Sequence, residues 1–478
     1  MTQLEYEFEI ILSRVTSLIG ISLGTNITSS TYSSSITDST YSFNYVDYDI
    51  DYNYSEHGPK IKESISDLRT IAERMNSAGH LRDCVKVYKS VRKSFLDENL
   101  RRLGIEKLSI NEVRRLEWGV LEAQIGQFIR AALICVRILF PSEKQLCEQI
   151  FEGLGTGTAD ACFTEMVKDR AIQLFNFAEA IGKSRRPPQR LFKILEVHKK
   201  LSDLLPYIDS AFRSKSLRSV FDHAAGILPQ LAESARRILL GFENDVLHEL
   251  SDFVHHRGGI HPTTKYVMNY IIHMSHFKET LTKLIISMPS KEENRRYSND
   301  LTILDIEEIA QFERERNALP AHLIWIIHIL QLKLKIKSKS YNDTSLALLF
   351  MMNNVHYVVQ KIQESPVLGE MIGDDYLEKL ADFVRQGVTA YQTSTWEAIF
   401  HCLRDEGANQ SRKNCSLGQR LKTFNAMFEE VHRTQATWSV PDLRLRKELR
   451  DSILAELIPA YRVEMASVRS KCLAVIGL

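Results

Sequence analysis

Apolar residues recur at helical spacing along almost the whole chain. Ile61, Ile65, Leu68, Ile71, Ala72 and Met75 form one face of a 3.6-residue period, and Gly79 supplies a C-terminal cap. Leu81 to Leu100 reads the same way. Ser109 with Glu112 makes a capping box. The helix it opens has the face Val113, Leu116, Val120, Ile125, Phe128, Ala132, Val136 and Leu139, and Pro141 is expected to end it. Further helices are expected at 145–151, 160–181, 188–205, 217–240, 262–288, 303–336, 342–363, 375–403, 417–435 and 442–470. The breaks carry Gly153 to Gly157, Pro187-Pro188, Pro206, Gly258-Gly259, Pro289, Pro366 and Gly407. Period-two alternation is scarce, so a sheet has little support. The pattern predicts an all-α protein of antiparallel helices joined by mostly short loops, with a short helix over Leu4–Ile21 and no fixed-length repeat.

The last two helices stand out. Leu417, Leu421, Phe424, Phe428 and Val431 line one, and Leu445, Leu449, Ile453 and Leu457 line the other. Trp438 to Asp442 breaks them apart, because Pro441 lacks an N–H and disfavours helical backbone at Val440. From Arg412 to Leu478 there are 12 Lys and Arg against 7 Asp and Glu.

Composition adds limits. A chain of 478 residues with 44% hydrophobic content can bury a large core, as more than one domain or an extended array. A net charge of +1 gives no bulk preference for nucleic acid or membrane, so an electrostatic partner must be met by a patch. Residues 1–57 hold one basic residue, Arg14, against eight acidic ones, and residues 25–42 contain twelve Ser or Thr. This segment is expected to be poorly ordered, and composition favours a passive linker over a phosphorylated or partner-binding tail. The N-terminus lacks a signal-peptide pattern, no uninterrupted apolar run approaches ~20 residues, and the seven cysteines include no Cys-x-x-Cys pair. A cytosolic compartment is expected.

Candidate chemistry is sparse. Gly153, Gly155 and Gly157 follow a helix rather than a strand and precede no Gly-Lys-Ser/Thr, so a loop is expected instead of a phosphate cradle. His255, His256 and His261 lack zinc-ligand spacing, which leaves structural or solvated roles and no metal site. No nucleophile elbow or catalytic cysteine setting appears. Glu292-Glu293, Glu307-Glu308 and Asp374-Asp375 read as helix-start or exposed-face residues, and Lys333 to Lys339 as a helix end complementing its dipole. No enzymatic activity and no cofactor are expected. Arg444, Arg446, Lys447 and Arg450, followed by Arg462, Arg469 and Lys471, form the exception. Near an anionic bilayer each basic residue contributes about 1 kcal/mol, so the set predicts reversible lipid attraction. Nucleic acid is not an expected partner, because no aromatics interleave these charges.

Several blocks resemble a known family. They are Arg92 to Gly104 with Arg115 to Trp118; Lys193 to Glu196 through Leu204 to Pro206; and Gly258 to Pro262 leading into Tyr266 to Tyr270. Phe350 to Lys361, Gly373 to Asp375, Phe424-Asn425 to Glu430, Thr437 to Asp442 and Ile458 to Arg462 complete the set. In order, over roughly residues 80–465, they resemble the Exo-seventy subunit of the exocyst in its plant form.

The resemblance implies an elongated rod of stacked helical bundles that tethers secretory vesicles to the plasma membrane. It implies binding to other exocyst subunits and, through the C-terminal basic residues, to phosphatidylinositol bisphosphate or another anionic lipid, with small GTPases or pathogen effectors as further partners. It makes Gly258 to Asn269 a bundle junction, and Asn353, Asn354 and His356 helix–helix polar contacts. The expected division is a 1–57 tail, bundles at 58–190 and 191–340, and a 341–478 bundle incomplete relative to the family. An incomplete bundle would expose Leu449, Ile453 and Leu457 unless something covers them. The alternative is a divergent, non-tethering interaction module, immune-related and targeted by pathogen effectors. The protein is expected to be cytoplasmic and recruited peripherally to the plasma membrane.

Overall fold

Helices form where apolar residues recur at threes and fours. The computed structural model describes residues 2–22, 28–33, 44–49, 58–105, 110–183, 188–247, 257–286, 319–403 and 417–476. One element among them is not helical, an antiparallel hairpin of β1 (Thr28–Ser33) and β2 (Asn44–Asp49), with Thr28 opposite Asp49 and Ser33 opposite Asn44. It falls inside the tract expected to be unstructured. Low hydrophobicity sets that expectation, whereas Thr and Tyr also favour extended backbone. The all-α class holds elsewhere. The chain divides into two compact units, Met1–Ile238 and Leu239–Leu478, a coarser division than the three bundles expected.

The first unit contains α1 (Thr2–Ser22), α2 (Gly58–Ser77), α3 (Leu81–Arg102), α4 (Ile110–Arg115), α5 (Trp118–Ile134), α6 (Phe140–Phe151), α7 (Thr158–Gly182), α8 (Arg190–Ala211) and most of α9 (Arg218–Leu247). α1 is a core element: Phe8, Leu12 and Val15 are fully buried where it packs on α2 and α3. α2 closes as expected, with His80 N–H donating to Met75 O at 2.8 Å across Gly79.

Three expectations fail here. The helix expected from Ser109 to Leu139 is broken, because α4 stops at Arg115 and Glu117 is extended with ψ 152°. The break resets the helical phase, so Val120 is exposed while Ile125, Phe128 and Ala132 are buried. Ser109 itself lies outside the described residues. Nor does Pro141 end the helix. Cys135–Leu139 forms a π-helical turn, with Phe140 N–H donating to Cys135 O, and Pro141 sits in the first turn of α6, where its missing N–H is tolerated. Pro206 likewise lies inside α8 instead of ending it.

The second unit contains the end of α9, then α10 (Pro262–His276), α11 (Lys278–Ile286), α12 (Leu319–Ser338), α13 (Thr344–Glu364), α14 (Pro366–Ile372), α15 (Asp374–Leu403), α16 (Leu417–Gln435) and α17 (Leu443–Ile476). The helix expected at 262–288 is interrupted at Phe277, and residues 303–318 lie outside the described residues. α13 packs on α10, α12, α14 and α15. Gly387 permits the α13–α15 approach: a Cβ there would lie 2.6 Å from Met352 Cγ. By length and composition, Gly119–Phe151 and Leu319–Ser338 would suffice to cross a membrane, but about half or more of each apolar window is buried inside the protein. Charged and polar residues interrupt both, so neither shows as a continuous apolar run.

Candidate functional site

The basic start of α17 is held in place by α13, which buries two consecutive asparagines. Buried amides are as a rule hydrogen-bonded, and here all but Asn353 Oδ1 find partners. Asn354 Oδ1 accepts from His261 N–H at 2.8 Å and from the Thr264 hydroxyl at 2.6 Å. Its Nδ2 donates to Phe350 O at 2.7 Å and Gly259 O at 3.3 Å. Asn353 Nδ2 donates to Gly258 O at 2.6 Å and Ser439 O at 2.8 Å, and Ser439 N–H donates to Arg257 O at 2.8 Å. Gly258 has φ +71°, and a Cβ on it would meet Leu346 Cδ1 at 2.8 Å, so the position demands glycine. The loop at 257–261 and the turn at 439–442 are therefore both fixed to α13. All of these contacts lie within the second unit, and the one between Asn354 and Thr264 joins α13 to α10, the kind of helix–helix polar contact that the family blocks imply.

Asp442 starts α17. Its Oδ1 accepts from Arg444 N–H at 2.9 Å and Leu445 N–H at 2.8 Å, an N-cap. The same carboxylate meets His356 Nε2 at 3.1 Å, and its Oδ2 accepts from Gln360 Nε2 at 3.0 Å. Burial pushes the Asp442 carboxyl up, but the Leu445 and Arg444 amides and the neighbouring His356 outweigh it and hold the group below its ordinary range.

Of the seven basic residues singled out from the sequence, five have described side chains, and these five take different positions and partners. Arg444 and Lys447 are exposed, three residues apart and so on one side of the helix. Arg446 folds back, donating from Nε and Nη2 to Val440 O at 3.1 and 2.7 Å, and braces the turn at Pro441. Arg450 lies beside Asp451 at 3.3 Å. Together Arg446 and Arg450 line a cavity of about 340 Å³ walled by α15, α16 and α17. Arg462 is exposed farther along, beyond Pro459. The side chains of Arg469 and Lys471 lie outside the described residues. The expected exposed apolar stripe also differs. Leu449 is buried and lines the cavity with Ile453, Leu454 and Leu457, while Leu443, Leu454, Ile458 and Tyr461 are the large exposed apolar residues of α17 among those described. Helical spacing alone does not give the rotation of α17 against its neighbours, so neither the cavity nor the bracing role of Arg446 is visible in it.

The other candidates take structural roles. Gly153, Gly155 and Gly157, all with positive φ, form the loop between α6 and α7. His261 is buried and caps α10, its Nδ1 accepting from Thr263 N–H at 3.2 Å, whereas His255 and His256 lie outside the described residues. Asp374 and Asp375 occupy the first turn of α15, and Lys335 and Lys337 the last turn of α12. Glu292, Glu293, Glu307 and Glu308 lie outside the described residues. Burial pushes the Cys84 and Cys135 thiols up to about 12, which suppresses the reactive thiolate.

Outside the hairpin, the described residues define a helical-bundle protein in which a polar network fixes the basic start of a late helix. Residues 127–471 match the model of a family described as the C-terminal region of the Exo70 exocyst complex subunit, and the chain belongs to that family. It is 36% identical over 400 residues to exocyst complex component EXO70B1 of Arabidopsis thaliana, covering 83% of this chain and 61% of that protein. To EXO70A1 of the same plant it is 31% identical over 407 residues, covering 83% and 60%. The chain thus spans about three fifths of the length of these relatives. It shares its fold with Exo70 of S. cerevisiae, with a TM-score of 0.52 at 13% identity, over 97% of this chain and 81% of that one. The plant form of the family, read from the sequence blocks, is correct.

Proposed function

We propose that this protein acts as an exocyst subunit of the Exo70 type, helping to tether secretory vesicles to the plasma membrane. It binds partner subunits and is recruited peripherally from the cytoplasm to anionic phosphoinositides. The observation that carries this reading is the family match over residues 127–471, which includes the basic start of α17. Arg444 and Lys447 are the lipid contacts proposed, because both are exposed on one side of the helix start, neither braces the Pro441 turn and neither lines the cavity. An exposed basic pair adds about 2 kcal/mol of attraction near an anionic surface, enough for reversible recruitment when other contacts share the task.

Flotation with vesicles containing phosphatidylinositol bisphosphate tests the lipid role. Wild type should float with these and not with neutral vesicles, and Arg444→Glu with Lys447→Glu should abolish flotation. Equal binding to both vesicle types, or full binding by the double variant, would sink the lipid claim. Co-purification from native tissue tests the subunit role: recovery of the other exocyst subunits is expected, and their absence would overturn it.

A further inference from the structure

The face of α17 turned away from Arg444 and Lys447 borders the cavity of about 340 Å³, at the low end of the ~300–1,000 Å³ typical of small-ligand sites. Its wall is apolar: Trp396 from α15, Phe428 from α16, and Leu449, Ile453 and Leu457 from α17. Among the described residues, the only charged ones lining it are Arg446 and Arg450, one helical turn apart, and no carboxylate lines it. Tyr391 and Gln435, also on the wall, engage each other, the Tyr391 hydroxyl donating to Gln435 Oε1 at 2.6 Å. An apolar slot whose only charges are two guanidinium groups complements a molecule with a hydrocarbon tail and an anionic head.

We propose that this cavity binds a monoacyl anionic amphiphile, such as a fatty-acid carboxylate. The acyl tail lies against Trp396, Phe428 and Ile453, and the head sits at Arg446 and Arg450. Arg446 keeps its bonds to Val440 O through Nε and Nη2 and turns Nη1 to the ligand. Arg450 has two long contacts to the adjacent Asp451, at 3.4 Å from Nε and 3.3 Å from Nη2, to give up. The site is separate from bilayer recruitment, which uses Arg444 and Lys447 on the other side of the same helix.

Trp396 and Trp438 both line the cavity, so tryptophan emission reports its occupancy. The full chain is titrated with monomeric octanoate, decanoate and dodecanoate, and with neutral dodecyl maltoside, each below its micelle concentration. Affinity should rise on the order of tenfold from octanoate to decanoate, since each buried methylene contributes roughly a fourfold gain. Dodecanoate should outcompete dodecyl maltoside, and Arg450→Gln should remove that preference. Ile453→Phe, which fills the slot, should weaken dodecanoate at least fivefold while leaving vesicle flotation unchanged. Leu457→Phe serves as the second filling variant if Ile453→Phe fails to fold. No saturable emission change, affinity independent of chain length, equal binding of the neutral detergent, or wild-type affinity in a folded filling variant would overturn the proposal. Loss of flotation in the Arg444 and Lys447 variant with fatty-acid binding retained supports it. Flotation without fatty-acid binding refutes the cavity site and leaves the bilayer role standing.

Discussion

Arg92 shows how much a single position draws from its surroundings. It sits in a run with Lys93, and the two read alike in the chain. The spacing of Cys84, Tyr88, Arg92, Leu96 and Leu100 puts Arg92 on the buried face of α3, where it is 1% exposed. Glu143, 51 residues away on α6, answers it: Nη2 donates to Oε2 at 2.6 Å and Nε at 3.0 Å. The Tyr88 hydroxyl donates to Glu143 Oε1 at 2.9 Å, and Arg92 Nη1 to the Thr16 hydroxyl at 3.0 Å. Lys93 instead meets the exposed Glu165 at 3.1 Å. Removing one member of a buried pair leaves the other charge uncompensated, so Glu143→Gln should lower unfolding free energy by about 3–5 kcal/mol. Replacing both, as Arg92→Met with Glu143→Leu, should lower it much less; urea melts of the three proteins measure the difference.

His273 gives a pH signature at the same scale. Burial, with the nearby His276 ring 6.2 Å away, drives its pKa down to about 4. The unfolded chain keeps the ordinary value near ~6.5, so it binds a proton that the folded chain refuses. The stability linked to this group is therefore complete above pH ~6.5 and is lost progressively as pH falls toward about 4. In His273→Gln the fall in urea midpoint across that window should be shallower than in wild type, and equal slopes would refute the assignment.

The start of α17 carries the lesson at the scale of elements. Pro441 makes the break between α16 and α17 legible, and the structure makes Asp442 the N-cap that follows it. Its second task is not legible, because His356 and Gln360 lie more than 80 residues earlier in the chain. Asp442→Ala should lower stability by at least about 1 kcal/mol, the usual loss for a cap, and by more where the His356 and Gln360 bonds also go. Asp442→Asn keeps an accepting oxygen for the two amides and should lose less. Thermal denaturation ranks them; an Asn variant as unstable as the Ala variant would mean that charge, not capping, dominates. Elsewhere the punctuation misleads for a local reason. Pro141 and Pro206 are accommodated within helices, the first just after a π-helical turn, and packing decides that against the weak prior of propensity.

At the scale of the whole molecule, the second unit presents its exposed basic pair at a helix start capped by Asp442. Recruitment through exposed charges is screened by salt, because the Debye length shrinks from ~10 Å at 0.1 M to ~3 Å at 1 M. Flotation with phosphoinositide vesicles should therefore fall steeply over that range, whereas dodecanoate binding, dominated by buried methylenes, should change much less. Salt-independent flotation would argue that apolar insertion of Leu443, Leu454 or Ile458 drives membrane contact.

Periodicity determined the all-α class and the limits of α13, α15 and α16 to within two residues, and the ordered motif blocks determined the family, since both follow from local spacing. Tertiary structure alone decided which charges are buried, braced or free. Arg92 finds Glu143, Arg446 returns to Val440, and Arg444 stays in solvent because of how the helices rotate against one another, a relation that no local spacing encodes. The basic start of α17 thus divides in two: Arg444 and Lys447 on one side, and Arg446 and Arg450, also exposed, lining the cavity on another.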